Sequence, residues 1–263
     1  MTWSEFFGKN ASPTAQSESD CFGLCPRCNQ EHSLSMTPAR QAALELMTEL
    51  ENKGRIDFES PDQKADPRFS TEYLWGSARG KMFGVMVATA KNGSTVHMRA
   101  FSGQYNGVWR VPGWAEPAFD LKSFHKIHDA EEKKIKALGR RIDQLESDSV
   151  QRRELTIRRK KKSQQLMRAL HGLYRLQNFS GQTSGLEEIF QPGIGIPTGT
   201  GDCCAPKLLQ HAADHGLLPL GIAEFYWGEE NASRSRRHGE FYPSCRTKCY
   251  PILGFMLCGL CLG

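Results

Sequence analysis

The cysteines constrain what this chain can fold into more than any other feature. Three stand close together at Cys21, Cys25 and Cys28, and none follows until Cys203, Cys204, Cys245, Cys249, Cys258 and Cys261. The opening MTWSEFFGKNASPTAQSESD has no basic stretch leading into an apolar one, so no secretory signal is read and a cytoplasmic address is expected. In a reducing compartment, grouped cysteines point to metal binding or core packing before disulfides. The chain has 263 residues and is 39% hydrophobic, enough to bury a real core. No apolar run approaches the ~20 residues that span a bilayer. The apolar PILGFMLCGLCLG is therefore expected to pack as a final core helix, with no membrane partner.

Two cysteine sets have metal-ligand spacing. Cys21-x3-Cys25-x2-Cys28-x3-His32 contains a Cys-x2-Cys knuckle that lets two thiolates face one ion, with His32 close enough to complete a tetrahedral site. The alternative is a pair of small core residues beside a turn. In the second set, a glycine-rich loop ends in GTGDCCAPKLL, where a helix begins. A thiolate there is favoured by the helix dipole and by free backbone N–H groups. Further along, PSCRTKC adds Cys245 and Cys249, one helical turn apart. Cys203, Cys245 and Cys249 would make a three-ligand zinc site with an open fourth position, and Cys204 is a candidate extra ligand. Asp202 and Glu224 are the nearby carboxylates that could shuttle a proton. Their plainer readings are a helix N-cap and a strand-end ion pair.

Charge is unevenly spread. Thirteen Lys/Arg oppose six Asp/Glu between Glu131 and Arg168, so the basic character is local to one element. Arg152, Arg153, Arg158, Arg159, Lys160, Lys161 and Lys162 would contact RNA phosphates through a sequence-blind, salt-sensitive attraction. A solvated helix face is the alternative.

The periodicities predict five regions. Residues 1–20 form a flexible arm, and 21–56 a Cys-rich knuckle and a helix with Thr37 as N-cap, Pro38 at its first position and Gly54 just past its end. Residues 57–122 hold a β-hairpin turned at Asn92-Gly93, where both positions need positive φ, and an irregular aromatic loop. Residues 123–177 form a charged helical hairpin. Its first helix has Ile135, Leu138, Ile142 and Leu145 along a seam, Ser147-Asp148-Ser149 breaks it, and the second runs from about 150 to 176. Residues 178–263 contain a helix after the double cysteine, a strand at LPLGIAEFYW and a last helix. The expected class is α+β or α/β, with a projecting antiparallel helical hairpin.

Gly201-Asp202-Cys203-Cys204-Ala205-Pro206 followed by Pro243-Ser244-Cys245 and Cys249 resembles the zinc-dependent nucleotide-deaminase fold. That resemblance implies a deaminase-like α/β unit and, as the alternative function, a metal-dependent hydrolase acting on a base or nucleoside. The sequence departs from the pattern in two ways. Ala205 stands where the catalytic Glu belongs, and the second pair is Cys-x3-Cys. The stretch therefore argues for a metal site more strongly than for the reaction. A broader resemblance covers roughly residues 79–260. GKMFGVMVA, RAFSGQYNG, the charged hairpin, GTGDCCAPKLLQHA, LPLGIAEFYWG and RRHGEFYPSCRTKCYPILGFML are similar, in that order, to the N-terminal extension of certain bacterial RluA-type pseudouridine synthases. It implies an RNA-modification setting; together with the cysteine sets and the basic run, the expected function is a zinc-containing, RNA-associated accessory protein, with RNA and a pseudouridine synthase or another protein as partners. The chain lacks the His-Arg-Leu-Asp run whose Asp is the nucleophile of those enzymes, so that activity is not implied. A structural zinc protein that binds another protein through the hairpin is the further alternative.

Overall fold

A computed structural model describes residues 20–190 and 195–260. The arm expected over 1–20 lies outside the described residues except for Asp20, whose Oδ1 accepts the Met36 N–H at 3.3 Å. The chain is α+β, and every strand pair in the described residues is antiparallel.

Strands β1 (Cys21–Leu24) and β2 (Glu31–Leu34) flank the CPRC knuckle. The next segment starts as a 3-10 turn, Thr37–Ala39, before α1 (Arg40–Lys53). Thr37 is thus inside the turn and does not cap it: its N–H donates to Ser35 Oγ at 3.1 Å, and Pro38 fits the first position as expected. Gly54 ends α1 at φ +59°, the left-handed conformation that glycine adopts without steric cost.

β3 (Lys81–Thr89) and β4 (Thr95–Phe101) form the expected hairpin, with a different turn. Only Gly93 has positive φ, and Ala90 and Ser94 close a three-residue loop. This is a turn followed by a left-handed glycine, which needs one positive φ where the two-residue turn needs two. The following stretch is irregular and aromatic, with Tyr105, Trp109 and Trp114 buried.

Helices α2 (Leu121–Asp143) and α3 (Val150–His171) are capped by Asp120 and Ser149, whose side chains accept the Ser123 and Arg152 N–H groups. They lie side by side: Lys162 pairs with Glu131 at 3.1 Å, and Arg152 donates to the carbonyls of Ile142 and Leu145. Of the expected seam only Ile142 is buried; the packed end is where Phe124, Leu166 and Leu170 meet Trp109. The second helix stops at His171, short of 176. Leu176 instead enters β5 (Leu176–Gln177), which pairs with β6 (Thr183–Ser184) ahead of the single-turn α4 (Leu186–Ile189).

Then come α5 (Cys204–His215), β7 (Leu218–Trp227), β8 (Phe241–Tyr242) and α6 (Tyr250–Leu257). The main sheet has the order β4-β3-β7-β8. Period-two alternation gives it two buried faces. Phe83, Val85, Val87, Ala223 and Phe225 pack with α1, whereas Met86, Ala88 and Ile222 pack with α5 and α6. Two helical layers therefore sandwich the sheet. Gly84 lets the start of α5 approach β3 closely, since an added Cβ would lie 2.7 Å from the Cys204 Cβ. The apolar closing run enters α6 as far as Leu257, with Pro251 to Leu257 buried, and its last three residues lie outside the described residues. No helix among the described residues is long and apolar enough to cross a membrane.

Candidate metal centres

Cys203 is the N-cap of α5, Cys249 is the N-cap of α6, and Cys245 lies one turn before Cys249, whose N–H donates to the Cys245 carbonyl. The two helix starts converge, and the three thiols lie within 4.8 Å of one another. The glycines before α5 make this possible: Gly201 sits at φ +89°, against the Tyr174 ring where a Cβ would lie 2.5 Å away. Cys249 is buried, and Cys203 and Cys245 are half-buried.

Three thiols this close cannot all ionise without a cation. Hydrogen bonds from Cys203 and Cys249 pull the Cys245 thiol far below its ordinary value. Cys203 is raised because it donates to Cys245 and Cys249. The three sulfurs are thus hydrogen-bonded to one another, a donor set that a divalent zinc ion could take over by displacing the thiol protons.

Cys204 does not join it. One residue on from Cys203, the helix has turned by ~100°, and the Cys204 thiol faces the sheet, 3.4 Å from the Met82 carbonyl. Burial drives its pKa up. It is a core residue.

The two carboxylates differ. Asp202 accepts the Tyr174 hydroxyl at 2.6 Å, while burial raises its pKa. Glu224 sits on β7 opposite Gly84, on the face otherwise packed with Met86, Ile222, Cys204 and Leu208. It is 6% exposed, and its Oε1 has no hydrogen-bond partner among the described residues. Burial, and next the charge at Cys245, push its pKa up to about 8, against a smaller pull from Arg236 and the Ala205 N–H. Ala205 thus marks the place on α5 that Glu224 reaches from the neighbouring strand. This was not visible in the linear motif.

The first cysteine set is rearranged. Cys25, Cys28 and His32 come together with Cys258, and all four ligand atoms lie within 4.8 Å of one another. Cys28 Sγ is 3.1 Å from His32 Nε2 and 3.9 Å from Cys258 Sγ. Cys21 lies apart. It is separated from Cys25 by the length of β1, ~13 Å at ~3.3 Å per residue, and its thiol is buried beside Ser244 with its pKa driven up by that burial. Burial also opposes ionisation of Cys25, but the N–H groups of Cys28 and Arg27 and the neighbouring thiols outweigh it and lower its pKa. Burial and the Cys25 thiol raise Cys258 to about 12. The turn that aims those N–H groups has Asn29 at φ +56° and closes through Asn29 N–H to Cys25 O at 2.9 Å. Asn tolerates that left-handed position best after glycine, a signal the spacing argument passed over.

Of the seven basic residues, Arg152 and Lys162 are engaged within the helix pair. Arg153, Arg158, Arg159, Lys160 and Lys161 are exposed and make no ion pair among the described residues.

Comparison with protein-family models, curated proteins and solved structures returns no match for the chain.

Proposed function

We propose that this chain is a zinc-holding, RNA-associated accessory protein. The observation that carries the reading is the set of five exposed, unpaired cations on α3, on an element that places only Leu166, Leu170 and His171 in the interior. At ~100° per residue these cations ring the helix, and cations so exposed meet phosphates without reading bases. The likeness of residues 79–260 to pseudouridine synthase extensions adds the RNA-modification setting, with a pseudouridine synthase or another RNA-bound protein as partner. In this reading α2 and α3 are a projecting helical hairpin, and the metal centres keep the body beneath it in shape.

RNA binding of the whole chain, measured as a function of salt, tests the proposal. Replacing Arg158, Arg159, Lys160 and Lys161 together with glutamine should weaken binding about equally across RNA sequences. It should also flatten the log K against log salt line by roughly 0.7 per lost single-strand phosphate contact. Unchanged affinity and slope would remove the hairpin from the interaction.

Glu224 favours a second reading, a metal-dependent hydrolase of a base or nucleoside on a deaminase-like unit. One ligand opens α5 and two lead into α6, as in that family's pattern, and Glu224 brings an acid to the helix start where Ala205 lacks one. Zinc held by Cys203, Cys245 and Cys249 would supply Lewis acidity toward water. Glu224, which keeps its proton at neutral pH, would give that proton to the substrate base and take one from the attacking water in exchange. Glu224→Gln should then abolish turnover of a nucleoside or RNA substrate and leave the zinc content intact. Turnover that survives the substitution would sink this reading.

A further inference from the structure

We propose that Cys25, Cys28, His32 and Cys258 form a second, closed metal centre that holds a structural zinc ion and clasps the β1–β2 knuckle to the far end of α6. This centre shares no ligand with the three-thiol site and no residue with the basic helix α3. Three sulfurs and one imidazole nitrogen are a complete tetrahedral donor set for zinc, with no position left for substrate. A tetrahedron with Zn–S bonds of ~2.3 Å has sulfurs about 3.8 Å apart, and Cys28 and Cys258 are already 3.9 Å apart. His32 Nε2 is closer to Cys28 than zinc would allow, at 3.1 Å. Because Cys28 is exposed and His32 half-buried, side-chain rotation can open that edge.

The ligands are carried by the hairpin turn between β1 and β2, by β2 itself and by the chain just past the end of α6. The knuckle turn places left-handed Asn29 directly after Cys28 and turns two N–H groups toward Cys25. Cys258 is fixed from the other side. Its carbonyl accepts the Phe179 N–H at 3.0 Å, and its own N–H donates to Phe255 O at 3.1 Å. Next to it, Gly259 at φ +88° sits where a Cβ would meet Ser180 Oγ at 2.1 Å. The two partners also touch around the ligands: Arg27 lies over the Phe255 ring at 5.2 Å, and Tyr250 donates to Glu31 at 2.7 Å. The three knuckle donors and Cys258 are therefore presented on supports that already pack together, as a structural site requires. Zinc binding here releases the protons of the three thiols to solvent and leaves His32 neutral, so affinity falls on acidification.

The test measures zinc per chain in the purified full-length protein after dialysis against metal-free buffer. Cys258→Ser should lower the content by one equivalent, and Cys245→Ser, which removes a ligand of the other cluster, should affect only that cluster. If Cys245→Ser changes nothing while Cys258→Ser loses one equivalent, the clasp stands alone. If Cys258→Ser retains all of the zinc, the clasp is refuted. Should Cys258→Ser fail to fold, His32→Cys decides the matter: the cobalt-substituted protein should keep its metal and change its visible bands from a three-sulfur, one-nitrogen pattern to a four-sulfur one. An unchanged cobalt spectrum would also overturn the proposal.

Discussion

Glu224→Gln should make the protein more stable at neutral pH, by an amount that vanishes in acid. The Glu224 carboxyl keeps its proton up to about 8 in the folded chain, against an ordinary value of 4.5. Below about pH 4.5 the carboxyl is protonated in both states and contributes no penalty. Between the two values the unfolded chain binds fewer protons than the folded one, so stability falls as pH rises, by about 1.4 kcal/mol per pH unit. The loss is complete above about pH 8 and reaches on the order of 3 kcal/mol at pH 7. Glutamine has the same shape and cannot ionise. Its amide changes the local hydrogen bonding by a constant, so the slope of the difference, not its intercept, reports the buried carboxyl. Urea unfolding of both proteins at pH 5, 6, 7 and 8, at matched zinc content, lets thiol titration cancel in the comparison. A difference that stays flat across this range would show that Glu224 is not held protonated, and the account of its site would fail.

Gly254→Ala sets two effects against each other. Alanine favours a helix by about 1 kcal/mol, but its Cβ would lie 2.2 Å from the Leu24 carbonyl carbon. Overpacking against backbone costs about 1–3 kcal/mol or more, so thermal unfolding should show a net loss of stability; a gain would mean that β1 and α6 separate freely. Cys203→Ala should cost the chain one zinc ion while Cys204→Ala leaves metal content unchanged, and elemental analysis of the two separates helix-cap ligand from core thiol. Ser149→Ala removes the side chain that accepts the Arg152 N–H at 3.2 Å. It should cost about 1 kcal/mol in chemical denaturation without altering zinc.

Local patterns were legible where local physics decides. LPLGIAEFYW reads as a strand and is β7, and the loop before Cys203 reads as a helix start because glycine and cysteine sit where α5 needs a flexible approach and a cap. The two strand-like runs around Asn92-Gly93 predicted the hairpin, but the turn type depended on loop length, which the dipeptide alone does not set. What stayed hidden depends on tertiary register. Glu224 is a candidate in the sequence only because it lies near in the chain; its place at the start of α5 depends on β7 pairing with β3, which brings it opposite Gly84. Cys21 has good spacing to Cys25, yet strand geometry carries it away. Cys258, which no spacing rule connects to Cys28, arrives in its place because α6 packs against β1.

That packing also bears on the order of events during synthesis. Gly23 and Gly254 meet backbone to backbone, since a Cβ on Gly23 would lie 2.3 Å from Gly254 N. Cys28 and Cys258, which lie beside that contact, are separated by 230 positions. A metal bridge at the proposed centre would close that loop and remove on the order of 5 kcal/mol of entropy from the unfolded ensemble. Because α6 follows every strand of the main sheet in the chain, the knuckle cannot meet it until that sheet has left the ribosome. Closure onto α6 comes as a late step, so a chain truncated before residue 250 should leave the knuckle open to proteases that the finished protein resists.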